Sequence, residues 1–362
     1  MNHFTRTTSL VVAFAMAAVM LVSSCAGGGA ASPTPAGSPA SKTEATPSTG
    51  APVKQAEPAS KAPVKVRVGS FANYAAQVTF SVGNFAGKDR VTFENVEFKS
   101  AQDVLTALST NDLDIGSLGY VHFLRALDSE IPVVGVSGNL AKITVLVARK
   151  GADISKVADL KGKKVGVPTG SVQDLALQGI LKKNGMDPTK DIEVVNVPFQ
   201  LQAQALEKGE VDAAITVADI AALSIAKGWA HHLYTPTDIP IGYLSSLMAV
   251  RKDFLAKNPD AVQEFVTAMY KGNEFYTKNP DEAVKNGSKW APGTDPAVLK
   301  EALNYIEFTS KMPLKDIREV AKIVAELKMT KSDWSAKVGD YLTYDYVTKA
   351  SGKTKEEMGF AQ

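Results

Sequence analysis

The sequence predicts an α/β fold of two lobes, completed by a helical C-terminal segment. Three observations carry that expectation. From Val64 onward, short runs rich in β-branched residues alternate with longer helical stretches, the texture of largely parallel sheets covered by helices. A nine-residue pattern then occurs twice: Ala107-Leu108-Ser109-Thr110-Asn111-Asp112-Leu113-Asp114-Ile115 and, 98 residues on, Ala205-Leu206-Glu207-Lys208-Gly209-Glu210-Val211-Asp212-Ala213. Finally, the last third has helix starts at Asn258-Pro259, Asn279-Pro280 and Asp295-Pro296, with a capping residue before a proline that suits the first helical position.

The elements follow in order. Strands are expected at Val64–Val68, Asn95–Phe98, Ile115–Ser117, Val133–Val136, Thr144–Ala148, Lys164–Val167, Glu193–Val197, Ala213–Thr216 and Leu247–Val250, with helices between most of them. The repeated pattern is a helix ending in Ala-Leu, a polar turn, then an aspartate entering a strand. Upstream, Val66-Arg67-Val68-Gly69-Ser70 is echoed 99 residues later by Val165-Gly166-Val167-Pro168-Thr169, each a strand running into a small-residue loop. Two lobes on one plan account for both echoes. Helices are expected from Pro259 to about Tyr276, Pro296 to about Ile306 and Leu314 to Leu327.

Before the folded part lies an address. Residues 1–9 are short and polar, and Leu10 to Val22 is an almost unbroken apolar run, too short to span a bilayer comfortably but suited to the core of a signal peptide. Val22-Ser23-Ser24-Cys25 follows, and it resembles the lipobox of bacterial lipoproteins. The resemblance implies that residues 1–24 are removed and that Cys25 is lipidated, with several acyl chains giving a stable anchor. Residues 25–63 are rich in Ala, Pro, Ser, Thr and Gly and too poor in large apolar residues to offset their chain entropy. They are expected to be a disordered linker with a reach of roughly 35 Å.

Composition removes other classes. A formal net charge of +2, with basic residues scattered, argues against nucleic-acid binding. Cys25 is the only cysteine, so neither a disulfide framework nor a cysteine-based metal cluster is expected. There is no His-Glu-x-x-His helix and no Gly-x-Ser-x-Gly elbow. The neighbours His231 and His232 point apart on a strand, and His122 reads as a satisfied polar residue. No cofactor, no metal and no catalysis are expected.

The folded part resembles the extracytoplasmic solute-binding proteins of ABC importers of the nitrate, sulfonate, taurine and thiamine-precursor type. Val66-Arg67-Val68-Gly69, Asp112 to Gly119, Val157-Ala158-Asp159-Leu160-Lys161-Gly162-Lys163-Lys164-Val165-Gly166-Val167, Gly170-Ser171, Leu206 to Ala213 and Asp219 carry the likeness. It implies a type II periplasmic-binding-protein fold that grips a ligand between lobes joined by two crossings. Those crossings would fall near Ala148-Arg149 and Ala249-Val250. The first lobe would then span 64–148, the second 149–249, and 250–362 would complete the first lobe and add helices. The implied partners are a small-molecule ligand, the permease subunits and the membrane reached through the lipid anchor, for an extracytoplasmic protein acting as a monomer. A lipoprotein presenting its ligand to a surface sensor is the alternative. The pyrimidine synthase of the thiamine branch relies on a cysteine-rich motif, which this chain lacks.

Ligands of open α/β sheets sit beyond the carboxyl ends of strands, at helix N-termini where free N–H groups favour acceptors. Four loops qualify: Ser70, Phe71 and Asn73 after the first strand; Ser117 to Gly119 and Tyr120 after the third; Asn139; and Thr169-Gly170-Ser171. Ser, Thr and Asn also cap helices routinely, so each loop has a structural reading as well. Phe71, Tyr120, Phe199 and Tyr243 are candidate stacking residues. Asp219 matches a family position where an acid follows a tryptophan, but Val217 and Ala218 precede it here, so an aromatic wall is not expected. No Arg or Lys lies in these loops, although Lys142 is near Asn139. A small anion on backbone N–H groups and a neutral pyrimidine-like ring are both compatible, with preference for a compact ligand bearing several acceptors.

Overall fold

The computed structural model describes residues 63–360 except 88, 99 and 291–292; for 71–76 and 290 only the backbone is described. The signal segment, Cys25 and the linker through residue 62 lie outside the described residues, as do the side chains of Phe71 and Asn73.

The first part of the chain runs β1 (Val64–Phe71), α1 (Ala72–Phe85), β2 (Val91–Phe98), α2 (Ala101–Ser109), β3 (Ile115–Gly119), α3 (Tyr120–Asp128) and β4 (Val133–Ala141). The second continues with β5 (Thr144–Arg149), β6 (Lys164–Val167), α4 (Val172–Lys183), β7 (Glu193–Asn196), α5 (Phe199–Lys208), β8 (Ala213–Val217), α6 (Ala218–Ala226) and β9 (Ala230–Tyr234). The remainder is α7 (Pro240–Tyr243), β10 (Leu244–Arg251), α8 (Lys252–Lys257), α9 (Pro259–Lys278), α10 (Pro280–Trp290), α11 (Pro296–Leu303), β11 (Glu307–Phe308), α12 (Leu314–Glu326) and α13 (Asp345–Ser351).

Two sheets form, ordered β11-β4-β10-β3-β1-β2 and β7-β6-β8-β5-β9. Helices cover their strands, and the inner strands are accordingly apolar on both faces: Val66, Val68, Ala213, Ala214 and Ile215 are fully buried. The long C-terminal helices follow helical periodicity. In α12 the buried residues are Leu314, Ile317, Val320, Ala321 and Val324, one stripe of a 3.6-residue repeat.

The internal echo is structural down to single atoms. Asn111 and Gly209, equivalent by the 98-residue offset, both adopt left-handed backbone, at φ 64° and 70°. The next N–H in each case bonds back to the helix: Asp112 to Ala107 O and Glu210 to Ala205 O, both at 2.9 Å. Leu113 and Val211 then plug the core. Asp114 accepts from the Arg67 N–H at 2.9 Å, and Asp212 from the Lys164 N–H at 3.1 Å, so each ties the start of its strand to the parallel neighbour, β1 and β6 respectively.

Each aspartate also meets an arginine ending an antiparallel strand: Arg251 of β10 for Asp114, and Arg149 of β5 for Asp212. This corrects the expected crossings. Arg149 ends a strand of the second sheet, paired with β8 and β9, while β10 lies between β3 and β4 in the first. The chain therefore changes sheets at Lys142-Ile143 and returns through residues 235–243, at the opposite ends of β5 and β10 from those expected. The patterns of β5 and β10 are interchangeable, apolar runs closed by arginine, so local sequence does not say which sheet each joins.

Two short strands also escaped the sequence reading. β11, of two residues, adds to β4 within the supposedly all-helical third, and β9 forms the edge of the second sheet. Helix α11 departs from its expected place as well. Val298 and Ala302 of α11 bury against Ala222 of α6, so a helix of the C-terminal segment packs on the second half of the molecule.

Candidate functional site

Where the chain passes between the sheets there is a cavity of about 550 Å³. One wall is the start of α6 and its following turns, Val217 to Ile220, Leu223 and Lys227. The facing wall comes from Gln77 of α1, Leu140 at the end of β4, Tyr276 of α9, Phe308 of β11 and helix α10, while α11, packed on α6, closes the space beside it. Ile143, in the crossing itself, lines it too. The cavity thus draws on elements of both sheets and on the connection between them.

Most of the lining is apolar: Leu140, Ile143, Val217, Ile220, Leu223, Val284, Val298, Leu299, Ala302, Leu303 and Ile306 form the bulk. The polar side chains are Gln77, Asp219, Lys227, Tyr276, Thr294 and Asp295. Lys227 is exposed, and the Asp295 carboxylate caps α11 by accepting from the Ala297 N–H at 2.9 Å. Gln77 is 3% exposed; its Nε2 donates to Asn273 Oδ1, and Asn273 Nδ2 donates to Ser310 Oγ at 3.0 Å. Its Oε1 is buried without a hydrogen-bond partner. Phe80 stacks on Tyr276 with centroids 4.9 Å apart, fixing that side of the wall from behind.

Of the residues expected at the site, Asp219 is on the cavity wall, in the first turn of α6. The others are placed as follows. Thr169 is exposed, and its N–H bonds Asn196 Oδ1 at 3.1 Å. Gly170 takes φ +76°, and its N–H donates to the Asp174 carboxylate, while Ser171 caps α4 by accepting from the Asp174 N–H. Asp174 thereby occupies donors that the sequence offered to a ligand. Ser70 is fully buried, with its hydroxyl 3.4 Å from Asn95 Oδ1. Gly119 is the extended residue before α3, and Tyr120 is 3% exposed in the apolar core. Asn139 is fully buried inside β4 and donates to Ser117 Oγ and Ser246 Oγ, which knits β4, β3 and β10 together. Tyr243 is half-buried at the return crossing and donates to Glu307 Oε2 at 2.9 Å.

Sequence reasoning missed Gln77, Tyr276, Phe308 and the α10–α11 wall. The Asp295-Pro296 helix start was visible, but nothing local says that α11 turns toward α6. Among the described residues there is no group of three or more metal-ligating side chains, and no helix long and apolar enough to cross a membrane.

Two α/β sheets with matching strand orders, joined by crossings beside a cavity, define the two-lobed periplasmic-binding-protein fold. The chain belongs to the family described as NMT1/THI5 like, whose model matches residues 92–283, more than half its length. It is 28% identical over 216 residues to the taurine-binding periplasmic protein of Escherichia coli (strain K12), covering 58% of this chain and 65% of that relative, a little under two thirds of it. The periplasmic aliphatic sulphonate binding protein of Escherichia coli shares the fold at TM-score 0.65 and 20% identity, over 75% of this chain and 95% of that one. The periplasmic nitrate-binding protein of Synechocystis PCC 6803 does so at TM-score 0.66 and 14% identity, over 80% and 89%.

Proposed function

We propose that this protein is the solute-binding component of an ABC-type importer, held outside the cell by lipid on Cys25, and that it takes a small organic molecule in the cavity at the crossings. It acts by binding and not by catalysis. One observation carries the reading: the cavity is walled from both sheets, so an occupant touches both halves at once. Family membership and the taurine-binding relative support it.

The physical consequence is closure. An occupant bridging α6 and the α1–α9–α10 wall stabilises the closed arrangement by its differential affinity for closed over open forms. The closed form is then the one a permease recognises.

Two measurements test this. A thermal-shift screen of the full chain against sulfonates, taurine, nitrate and pyrimidines should find a stabilising compound, because a ligand at a hundred times its Kd adds about 2.7 kcal/mol. X-ray scattering should show the radius of gyration shrinking with the same compound. A stabilising compound that leaves the molecule's dimensions unchanged would refute closure. Separately, Cys25→Ala should move the protein from membranes to the soluble fraction; retention on membranes would refute the anchor.

A further inference from the structure

Helix α11 lies on the second half of the molecule, yet the chain on either side of it is held by the first. Before it, α10 packs on α1 and α9; after it, Glu307 pairs with Ala141 of β4. Between these anchorages the contacts are with the other half. Val298 and Ala302, one turn apart on α11, bury against Ala222 of α6. Tyr305, just past the helix, is 8% exposed and joins the buried cluster of Val145, Val147, Ala214 and Ala230. Its ring stacks on His232 of β9 with centroids 5.4 Å apart. Lys142, at the outgoing crossing, donates from Nζ to Asn304 O at 3.0 Å, which places a cation at the carbonyl end of α11.

We infer that α11 is a clasp. Carried by the second half and tied to the first at both ends, it restricts how far α6 swings from the α1–α9–α10 wall while the cavity is empty. The inference rests on the two-halved solute-binding reading. The physical case compares the attachments of α11. Stripping it from α6 would return Val298, Ala302 and Tyr305 to water, which is unfavourable. Toward α10 it has the Lys300–Asp281 ion pair, whose side chains are 69% and 85% exposed, and such a pair holds little. Helix α11 therefore follows α6, and the chain held by α10 and β11 sets the limit of travel. Halves kept near one another spend less of a ligand's binding energy on being brought together, so the clasp raises apparent affinity without touching the ligand.

The test reads the distance between spin labels on the two halves, at Gln204→Cys of α5 and Lys271→Cys of α9, in the full chain carrying Cys25→Ala and without ligand. Both labelled positions are exposed. The parent should give one narrow distance. Val298→Asp should lengthen and broaden it, His232→Ala should do so to a smaller extent, and Lys300→Ala should leave it unchanged. Circular dichroism identifies the folded variants. His232 is exposed, so His232→Ala decides the matter where Val298→Asp does not fold. Lengthening in either folded variant, with Lys300→Ala unchanged, supports the clasp. A distance that no folded variant alters overturns it, and so does a broad distribution in the parent. Lengthening in Lys300→Ala equal to that in the other variants overturns it too, because the holding contact would then lie on α10. Ligand binding and closure are read separately by the thermal-shift and scattering measurements, so a failed clasp is distinguishable from a failed solute-binding reading.

Discussion

Asp114 and Asp212 do the same job in the two sheets, but in different surroundings, and that difference sets their weight. The Asp114 side chain is 5% exposed and takes the Arg67 guanidinium through two contacts, at 2.7 and 3.0 Å, besides the Arg67 N–H. Removing one partner of such a buried pair strands charge, so Asp114→Ala should cost about 3–5 kcal/mol in urea unfolding. The Asp212 side chain is 25% exposed, water can replace part of what it offers, and Asp212→Ala should cost only about 1–2 kcal/mol. Equal losses would contradict the burial argument. His232 supplies a pH dependence. Its ring stacks on Tyr305 at 5.4 Å and 12°. Burial holds it below the usual histidine range, opposed by Glu301 and assisted by Lys142 and His231. The folded state thus favours the neutral ring. Its contribution is full above the unfolded value of about 6.5 and is lost as pH falls through it toward the lower folded value. His232→Phe keeps the stack and removes the titration. Stability should therefore fall less between pH 7.5 and 5.5 in the variant than in the parent, as measured by urea unfolding at each pH.

Among the elements, α1 and α9 approach too closely for a side chain at the crossing. A Cβ on Gly272 would sit 1.9 Å from Ser81 Oγ and 2.6 Å from its Cβ. That contact explains a glycine in the middle of a 20-residue helix, where it would otherwise be unfavourable. Gly272→Ala should cost about 1–3 kcal/mol by overpacking, and Ser81→Gly in the same chain should restore part of the loss. Strict additivity of the two would show that the crossing is not the cause. The same crossing carries Gln77 and Asn273, so it also positions the cavity wall.

For the whole molecule, the two sheets share chain so thoroughly that they should not unfold separately. The strands β5 and β10 lie on either side of the crossings, and α11, from the C-terminal segment, buries Val298 and Ala302 against α6. Trp229 lies beside the second sheet, and Trp334 donates to Asp128 beside the first. In a Trp290→Phe background, fluorescence of Trp229→Phe and of Trp334→Phe should each report one transition coincident with far-UV circular dichroism of the same variant. Separated midpoints for the two probes within a variant would show that the halves are independent.

By itself the sequence determined the strand–helix alternation, the proline-led helix starts and the twice-used turn with its aspartate. These rest on periodicity, capping and backbone preference among near neighbours, which a single chain displays without its fold. Asp219 was singled out through its likeness to a family position, and it lies on the cavity wall. The tertiary structure alone decided which sheet β5 and β10 join, that Asn139 and Tyr120 lie beneath the surface, and that Gln77, Leu140, α6, α10 and α11 surround one cavity. Pairing and burial are settled between segments far apart in the chain, and interchangeable apolar runs carry no mark of the partner they will meet.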